Sequence, residues 1–267
     1  MTGFDIFKLI AKAIVVLILV AILTGLIYWL LAASQWGWMA TYYPLLIRGL
    51  WLTLLLWVLS CVIGMLFAIP IGLVQVTGPS WLAAIARGFC TVIRGTPLLL
   101  QLWLIYYGLG SLFPQIGMVF PDFRKDFMWL IRLDAFWYAL LAFTLSFAGY
   151  EGEIMRGAFL GVPRGELEAA RAFGMSPWKV LTRVWFPRAV RLVLPTLAGE
   201  VVLQLKATPL AMTVTVMDLA GVVRNRITQD TFIVYEPLMV LAVIYMCLTF
   251  LTVWAFKFIE KKVPQKR

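Results

Sequence analysis

Residues 168–189 read EAARAFGMSPWKVLTRVWFPRA, a charged stretch in a chain of 267 residues of which 63% are hydrophobic. The apolar runs on either side of it are longer than the ~20 residues that a helix needs to cross a bilayer. A transmembrane β-barrel would instead show alternating strands of about ten residues. The chain is therefore predicted to be an all-α integral membrane protein, with the quoted stretch outside the bilayer.

The composition excludes several kinds of active site. The chain has no histidine, which removes imidazole metal ligands, histidine-based triads and histidine proton relays. Its three cysteines, Cys61, Cys90 and Cys247, lie far apart in apolar stretches and are interpreted as small core residues. We therefore expect no catalytic residue, no metal site and no cofactor site in this chain. The net charge of +10 is interpreted as an orientation signal, so no nucleic-acid partner is expected.

Hydropathy predicts six spans, at residues 9–33, 45–76, 82–112, 135–157, 189–216 and 237–258. An even number of spans puts both termini on one side. If that side is the cytoplasm, it collects most of the 23 Lys and Arg residues, as the positive-inside rule requires. The first apolar run is longer than a signal-peptide core of ~7–15 residues, so residues 1–40 are predicted to be a membrane anchor.

Two of the predicted spans contain a break. In the third, Thr96 can cap a new helix and Pro97 suits its first turn, so residues 80–93 are predicted to be a separate or kinked helix near the inner surface. In the fifth, Pro209 has no N–H to donate to the carbonyl of Leu205, which then needs another partner.

The quoted stretch belongs to a predicted cytoplasmic loop, residues 161–188, with the pattern of two short helices. Acidic residues early in the first helix and Arg171 near its end suit the helix dipole, and Gly174 fits a left-handed stop. The second helix begins with Ser176 as its cap and Pro177 at its first position. From this pattern the loop is either an amphipathic linker on lipid headgroups or a platform that docks another protein.

The spacing of this stretch resembles the cytoplasmic-loop motif of ATP-binding-cassette importer permeases. That motif is E-A-A, three residues, G, nine residues, an aliphatic residue, one residue, and L-P. The residues in this register, with one glycine upstream, are Gly165, Glu168, Ala169, Ala170, Gly174 and Pro187. Val184 and Phe186 depart from the usual isoleucine and leucine but remain apolar.

Three other stretches resemble the polar amino-acid branch of that superfamily. RGTPLLLQLWLIYYGLG (94–110) and YEGEIMRGAFLGVPRGELEAARAFG (150–174) look like this branch in general. LKATPLAMTVTVMDL (205–219) is similar to the M-type subunit of histidine, basic amino-acid and opine importers. The resemblance implies a five-helix permease domain within residues 41–267, to which the N-terminal anchor is an addition.

The resemblance also implies a function and a set of partners. The chain would be the permease of an importer that moves polar, basic or opine-like amino acids across a bacterial inner membrane, with its helix pair inserted into an ATPase. The implied partners are two ATPase subunits that use ATP and Mg, a second permease chain, paralogous or identical, and an extracytoplasmic amino-acid-binding protein. The chain has no Gly-Lys pair and hence no G-x-x-x-x-G-K-[ST] loop for nucleotide phosphates, so it is not expected to be an enzyme. An ATP-independent secondary transporter or channel, and a non-transporting membrane scaffold, remain the alternatives.

Ionisable and polar residues in the spans are the candidates for a substrate path, since burying them in a bilayer is costly. Glu200, Gln204 and Thr208 recur every four residues and make one stripe that ends at the proline break. Lys206 lies about 120° away on the same helix, and Glu151 lies in the fourth span. The alternative is that the stripe forms helix–helix hydrogen bonds between subunits.

Overall fold

The computed structural model of the chain describes residues 3–28, 35–128 and 133–262, and this part of the chain is helical without any β-strand. Its helices are α1 (Gly3–Tyr28), α2 (Trp38–Thr77), α3 (Ser80–Gly95), α4 (Leu98–Val119), α5 (Pro121–Asp126), α6 (Ala135–Gly161), α7 (Arg164–Ala172), α8 (Pro177–Val214), α9 (Leu219–Thr231) and α10 (Tyr235–Lys262). The all-α fold class is confirmed.

The structure does not confirm the predicted count of six spans, and residues 29–33 of the first predicted span lie outside the described residues. In the described part of the chain, α2, α4 and α10 are each long and apolar enough to cross a membrane, and α8 and α9 pass the same test only as a pair bent by 48°, which is either one broken span or a re-entrant loop. The α1 helix has a shorter apolar stretch, Ile14–Gly25. The α6 helix has 27 residues, about 40 Å of helix, and its C-terminal half carries the carboxyl groups of Glu151 and Glu153.

The break predicted in the third span is confirmed, but its cap is one residue further on. Thr96 does not cap α4, because its hydroxyl donates to the carbonyl of Val92 at 2.9 Å and closes α3 instead. Pro97 is the residue that precedes α4, with an extended ψ of 135°. The side chain of Gln101 then bridges the break by donating to the carbonyls of Ile93 and Thr96, at 2.8 and 3.0 Å.

The α8 helix changes geometry at the predicted proline break. Its α-helical part ends at Ala207, and Thr208–Val214 continues as a 3₁₀ helix that contains Pro209. The carbonyl of Leu205 accepts from the backbone N–H of Thr208 and, at 2.9 Å, from its hydroxyl. The missing proline N–H is therefore replaced within the same turn, which lets the span break without leaving that carbonyl unsatisfied.

The α6 helix lies at the centre of the fold and packs along α2. The two helices touch closely where α2 has Gly72, since a Cβ there would lie 2.6 Å from the Cβ of Met155 and 2.9 Å from the backbone N of Arg156. Small residues of this kind let membrane helices approach each other. By contrast, every α1 side chain that the structure describes is exposed.

Candidate functional site

The α7 helix ends in the left-handed stop that the sequence predicts. Gly174 has φ +75°, and its N–H donates to the carbonyl of Arg171 at 2.9 Å. The next N–H, of Met175, donates to the carbonyl of Ala170 at 3.2 Å. A Cβ on Gly174 would meet nothing within 4 Å, so the backbone conformation, and not a lack of space, favours glycine here.

The second helix of the pair starts where predicted, without the predicted cap bond. Ser176 precedes Pro177 in an extended conformation, but its side chain makes no capping hydrogen bond. After one turn the chain passes through a π-helical turn, Leu181–Trp185, and continues into the long part of α8. The indole N–H of Trp185 donates to the carbonyl of Phe159 at 2.9 Å, which fixes this turn to the end of α6.

The residues of the loop motif divide between an outer and an inner side of α7. Glu168 and Ala169 are exposed, as are Gly165 and Gly174. Ala170 is buried, with 7% of its surface exposed, so it faces the interior of the loop. It does not form a small exposed surface together with Gly174. The half-buried Pro187 lies in the first turn of the long part of α8.

An apolar cluster holds the inner side of α7 against the membrane helices. Leu167 and Ala170 of α7 lie in it together with Met155, Ala158 and Phe159 of α6, the linker residue Val162, and Val180, Ala189 and Val193 of α8. One side of the loop is thus packed on the membrane helices. Its outer side, which carries Glu168 and Ala169, remains open.

An ion pair that the sequence analysis missed joins α7 to α8. The Nε of Arg188 donates to Oε2 of Glu166 at 2.7 Å, and Nη2 of Arg188 donates to the other carboxylate oxygen. The hydrogen bond from Arg188 lowers the pKa of Glu166, and the same contact raises the pKa of Arg188. The two residues are 22 positions apart, so no helical spacing in the sequence signals their contact.

Two residues of the predicted polar stripe are engaged in hydrogen bonds inside the chain. The amide of Gln204 donates to the carbonyl of Phe143 at 3.0 Å and to the hydroxyl of Ser60 at 3.2 Å. The hydroxyl of Thr208 lies 2.7 Å from that of Tyr245. These bonds tie α8 to α6, α2 and α10, so helix–helix bonding occurs here, within one chain.

The remaining polar residues of the spans are placed differently. Glu151 is fully buried in α6, and neither carboxylate oxygen has a hydrogen-bond partner among the described residues. Glu200 of α8 is half-buried and close enough to interact electrostatically with Glu151 and with Arg94 of α3. Lys206 is exposed. Two neighbouring carboxyl groups in a low-dielectric setting are suited to attract a cationic group.

Glu153 and Arg156, in the C-terminal half of α6, form an ion pair within one helix, as their i, i+3 spacing predicts. Among the residues that the structure describes, no group of three or more Cys, Asp and Glu side chains is arranged to hold a metal ion.

Asp218, which hydropathy places in an outer loop, is instead fully buried and caps α9 by accepting from the N–H of Gly221 at 2.8 Å.

Residues 60–265 match the model of the family described as binding-protein-dependent transport system inner membrane component. The octopine transport system permease protein OccM of Rhizobium radiobacter is 38% identical over 223 residues, which is 83% of this chain and 87% of that protein. The histidine/lysine/arginine/ornithine transport system permease protein HisM of Escherichia coli K12 is 34% identical over 219 residues, 80% of this chain and 87% of that protein.

A solved structure described as an amino acid ABC transporter with histidines has the same fold. It superposes with a TM-score of 0.72 at 30% sequence identity, over 86% of this chain and 99% of that chain. The family match includes the whole α7 loop and the whole of α8.

Proposed function

We propose that this chain, which belongs to the family of binding-protein-dependent transport system inner membrane components, imports polar amino acids of the basic or opine type. It is a permease subunit of an ATP-binding-cassette importer and not itself an enzyme. The substrate class is supported by its relatives, which transport octopine in one case and histidine, lysine, arginine and ornithine in another.

The observation that carries the proposal is the two-sided α7 loop. Its inner side is packed on α6 and α8, so a force applied to it reaches the spans. Its outer side presents Glu168 and Ala169 beside the sharp stop at Gly174, and this is the surface we assign to the ATPase. Gly165, Ala170 and Pro187 complete the coupling set by shaping the loop. ATP and Mg are used in two ATPase subunits, one for each of two permease chains.

The proposed assembly contains partners on both sides of the membrane. A second permease chain, paralogous to this one or identical with it, completes the pathway, and an extracytoplasmic binding protein delivers the amino acid. The chain is a multi-pass protein of the bacterial inner membrane, and we propose that both termini are cytoplasmic. Residues 1–40 form an added anchor and residues 41–267 the permease domain with its coupling loop at 161–188.

Within the membrane, we assign the substrate contact to Glu200 together with Glu151. Their neighbouring carboxyl groups would attract the cationic group of a basic or opine-like amino acid. Gln204 and Thr208 border the path and hold its helices in place through their hydrogen bonds. Lys206, exposed on another side of α8, would meet a carboxylate of the substrate or of the second permease chain.

Co-purification with the cognate ATPase tests this assignment against the alternatives. The tagged chain, expressed with its ATPase and the second permease chain, is expected to retain the ATPase in detergent. Ligand binding by the cognate binding protein then identifies the amino acid. A chain that purifies without any ATPase and still carries solute across vesicles would be a secondary transporter or channel, and one that carries none would be a scaffold.

A further inference from the structure

We propose that the ion pair between Glu166 and Arg188 is the rigid link through which movement of α7 is passed to α8. The inference rests on the proposed function, in which an ATPase moves α7 and α8 borders the substrate path. It gives both residues a positioning role, because they act on α8 and touch neither nucleotide nor substrate.

The geometry of the pair suits a directional link. Two donors of one guanidinium, Nε and Nη2 of Arg188, meet the two oxygens of one carboxylate, that of Glu166. Such a two-point contact fixes the relative orientation of its partners as well as their distance. Glu166 is in the first turn of α7 and Arg188 is in the first turn of the long α-helical part of α8. The pair therefore joins the starts of two helical segments.

The other contacts between α7 and α8 cannot fix the orientation of one helix relative to the other. Leu167 and Ala170 lie in one apolar cluster with Val180, Ala189 and Val193 of α8, and attraction between apolar surfaces is non-directional and permits sliding. In the described part of the chain, the pair provides the only side-chain hydrogen bonds between α7 and another helix. Without it, α7 would keep its place but could turn against α8.

The pair also lies between the two proposed sites. On one side, Glu168 and Ala169 follow Glu166 within a turn of α7. On the other side, α8 runs from Arg188 to Glu200 as one α-helix that contains Pro195, over about twelve residues or roughly 18 Å. A rotation of α7 that is passed through Arg188 would therefore move the carboxyl group of Glu200.

Stability alone does not explain the contact. The Arg188 side chain is 38% exposed and that of Glu166 is 32% exposed. Ion pairs with this much access to solvent contribute little to folding. Breaking the pair is thus expected to leave the assembled complex intact, which allows coupling to be measured separately from stability.

The test uses the full importer complex in proteoliposomes. The binding protein is supplied on the side of the vesicle membrane that carries the extracytoplasmic face of the permease. Glu166→Gln and Arg188→Gln are compared with the exchanged pair, Glu166→Arg with Arg188→Glu. Glu153→Gln is the control, because it removes an ion pair whose hydrogen bonds both lie within α6. For each variant, amino-acid uptake and ATP hydrolysis are measured per assembled complex.

We expect both single variants to assemble normally and to lose about fivefold in uptake per complex, the low end of typical couplings between sites. Their ATP hydrolysis per transported molecule should rise accordingly. The exchanged pair should recover about half of the uptake or more, and not all of it, since a cationic side chain in the first turn of α7 is unfavourable for the helix dipole. Glu153→Gln should transport as the wild type does.

Three results would overturn the proposed link: normal uptake in both single variants, an exchanged pair no better than they are, or a loss of uptake that only matches a loss of assembly. If the wild-type complex itself shows no ATP-driven uptake, the proposed function fails, and the link fails with it. A working wild type with unaffected single variants refutes the link alone.

Discussion

Replacing Gly174 by arginine should uncouple the ATPase without unfolding the permease. Glycine is used there for its left-handed backbone, at φ +75°, and any side chain would project into open space. A non-glycine residue in this conformation costs about 1–2 kcal/mol, which a loop backed by an apolar cluster should survive. An arginine also places a cation on the surface that we assign to the ATPase.

The size of the docking effect follows from that cation. A charge that becomes buried without a partner costs roughly 3–5 kcal/mol, so Gly174→Arg should weaken association with the ATPase by more than about 100-fold. Gly174→Asn is the matched control, because asparagine tolerates the left-handed region and adds no charge. It should keep most of the association.

The assay is retention of the ATPase on the immobilised permease, together with the amount of permease in the membrane. Gly174→Arg should be present at a normal level and retain no ATPase, while Gly174→Asn retains it. Normal retention by the arginine variant would refute the assignment of this surface. Equal losses of permease in both variants would show that backbone strain, and not docking, dominates at Gly174.

Three further predictions concern other parts of the molecule. Glu200→Gln should lower uptake of a cationic amino acid at least several-fold, since a contact with a charged group is worth about 1.5–3 kcal/mol. Retention of the ATPase should not change. Unchanged uptake would show that the substrate contact lies elsewhere. Gln204→Leu should lower the melting temperature, because it removes the hydrogen bonds to Phe143 and Ser60 at a cost of about 1 kcal/mol. A variant as stable as the wild type would show that those hydrogen bonds are dispensable. Arg188 lowers the pKa of Glu166, so the stabilisation by this pair is fully present above the unfolded pKa of about 4.3 and is lost as the pH falls through the folded value. Melting temperatures between pH 7 and pH 3 should therefore fall slightly more for the wild type than for Glu166→Gln, because an exposed pair adds only a little to folding, and parallel curves would contradict that contribution.

Local chain geometry was the part of the fold that the sequence predicted best. Proline and glycine fix the backbone within a few residues, so the break before α4, the change of geometry at Pro209 and the stop at Gly174 could all be placed. The cap of α4 was misplaced by one residue, since the hydroxyl of Thr96 can serve either the helix before it or the helix after it.

The sequence does not predict contacts between distant segments of the chain. Helical spacing placed Gln204 and Thr208 on one face, but it could not tell whether that face meets a path or another helix. The E-A-A spacing likewise did not show that Ala170 faces inward. The Glu166–Arg188 pair depends on how two helices cross, which no periodicity in either helix contains.

The central claim is that ATP hydrolysis in a partner drives this chain's transport, and uptake by reconstituted vesicles tests it most directly. Vesicles that contain the permease pair and its ATPase are given the binding protein and a labelled basic or opine-type amino acid, with ATP and Mg or with a non-hydrolysable nucleotide. The account predicts accumulation with ATP, and none with the analogue or without the ATPase. Equal accumulation in all three conditions would contradict it.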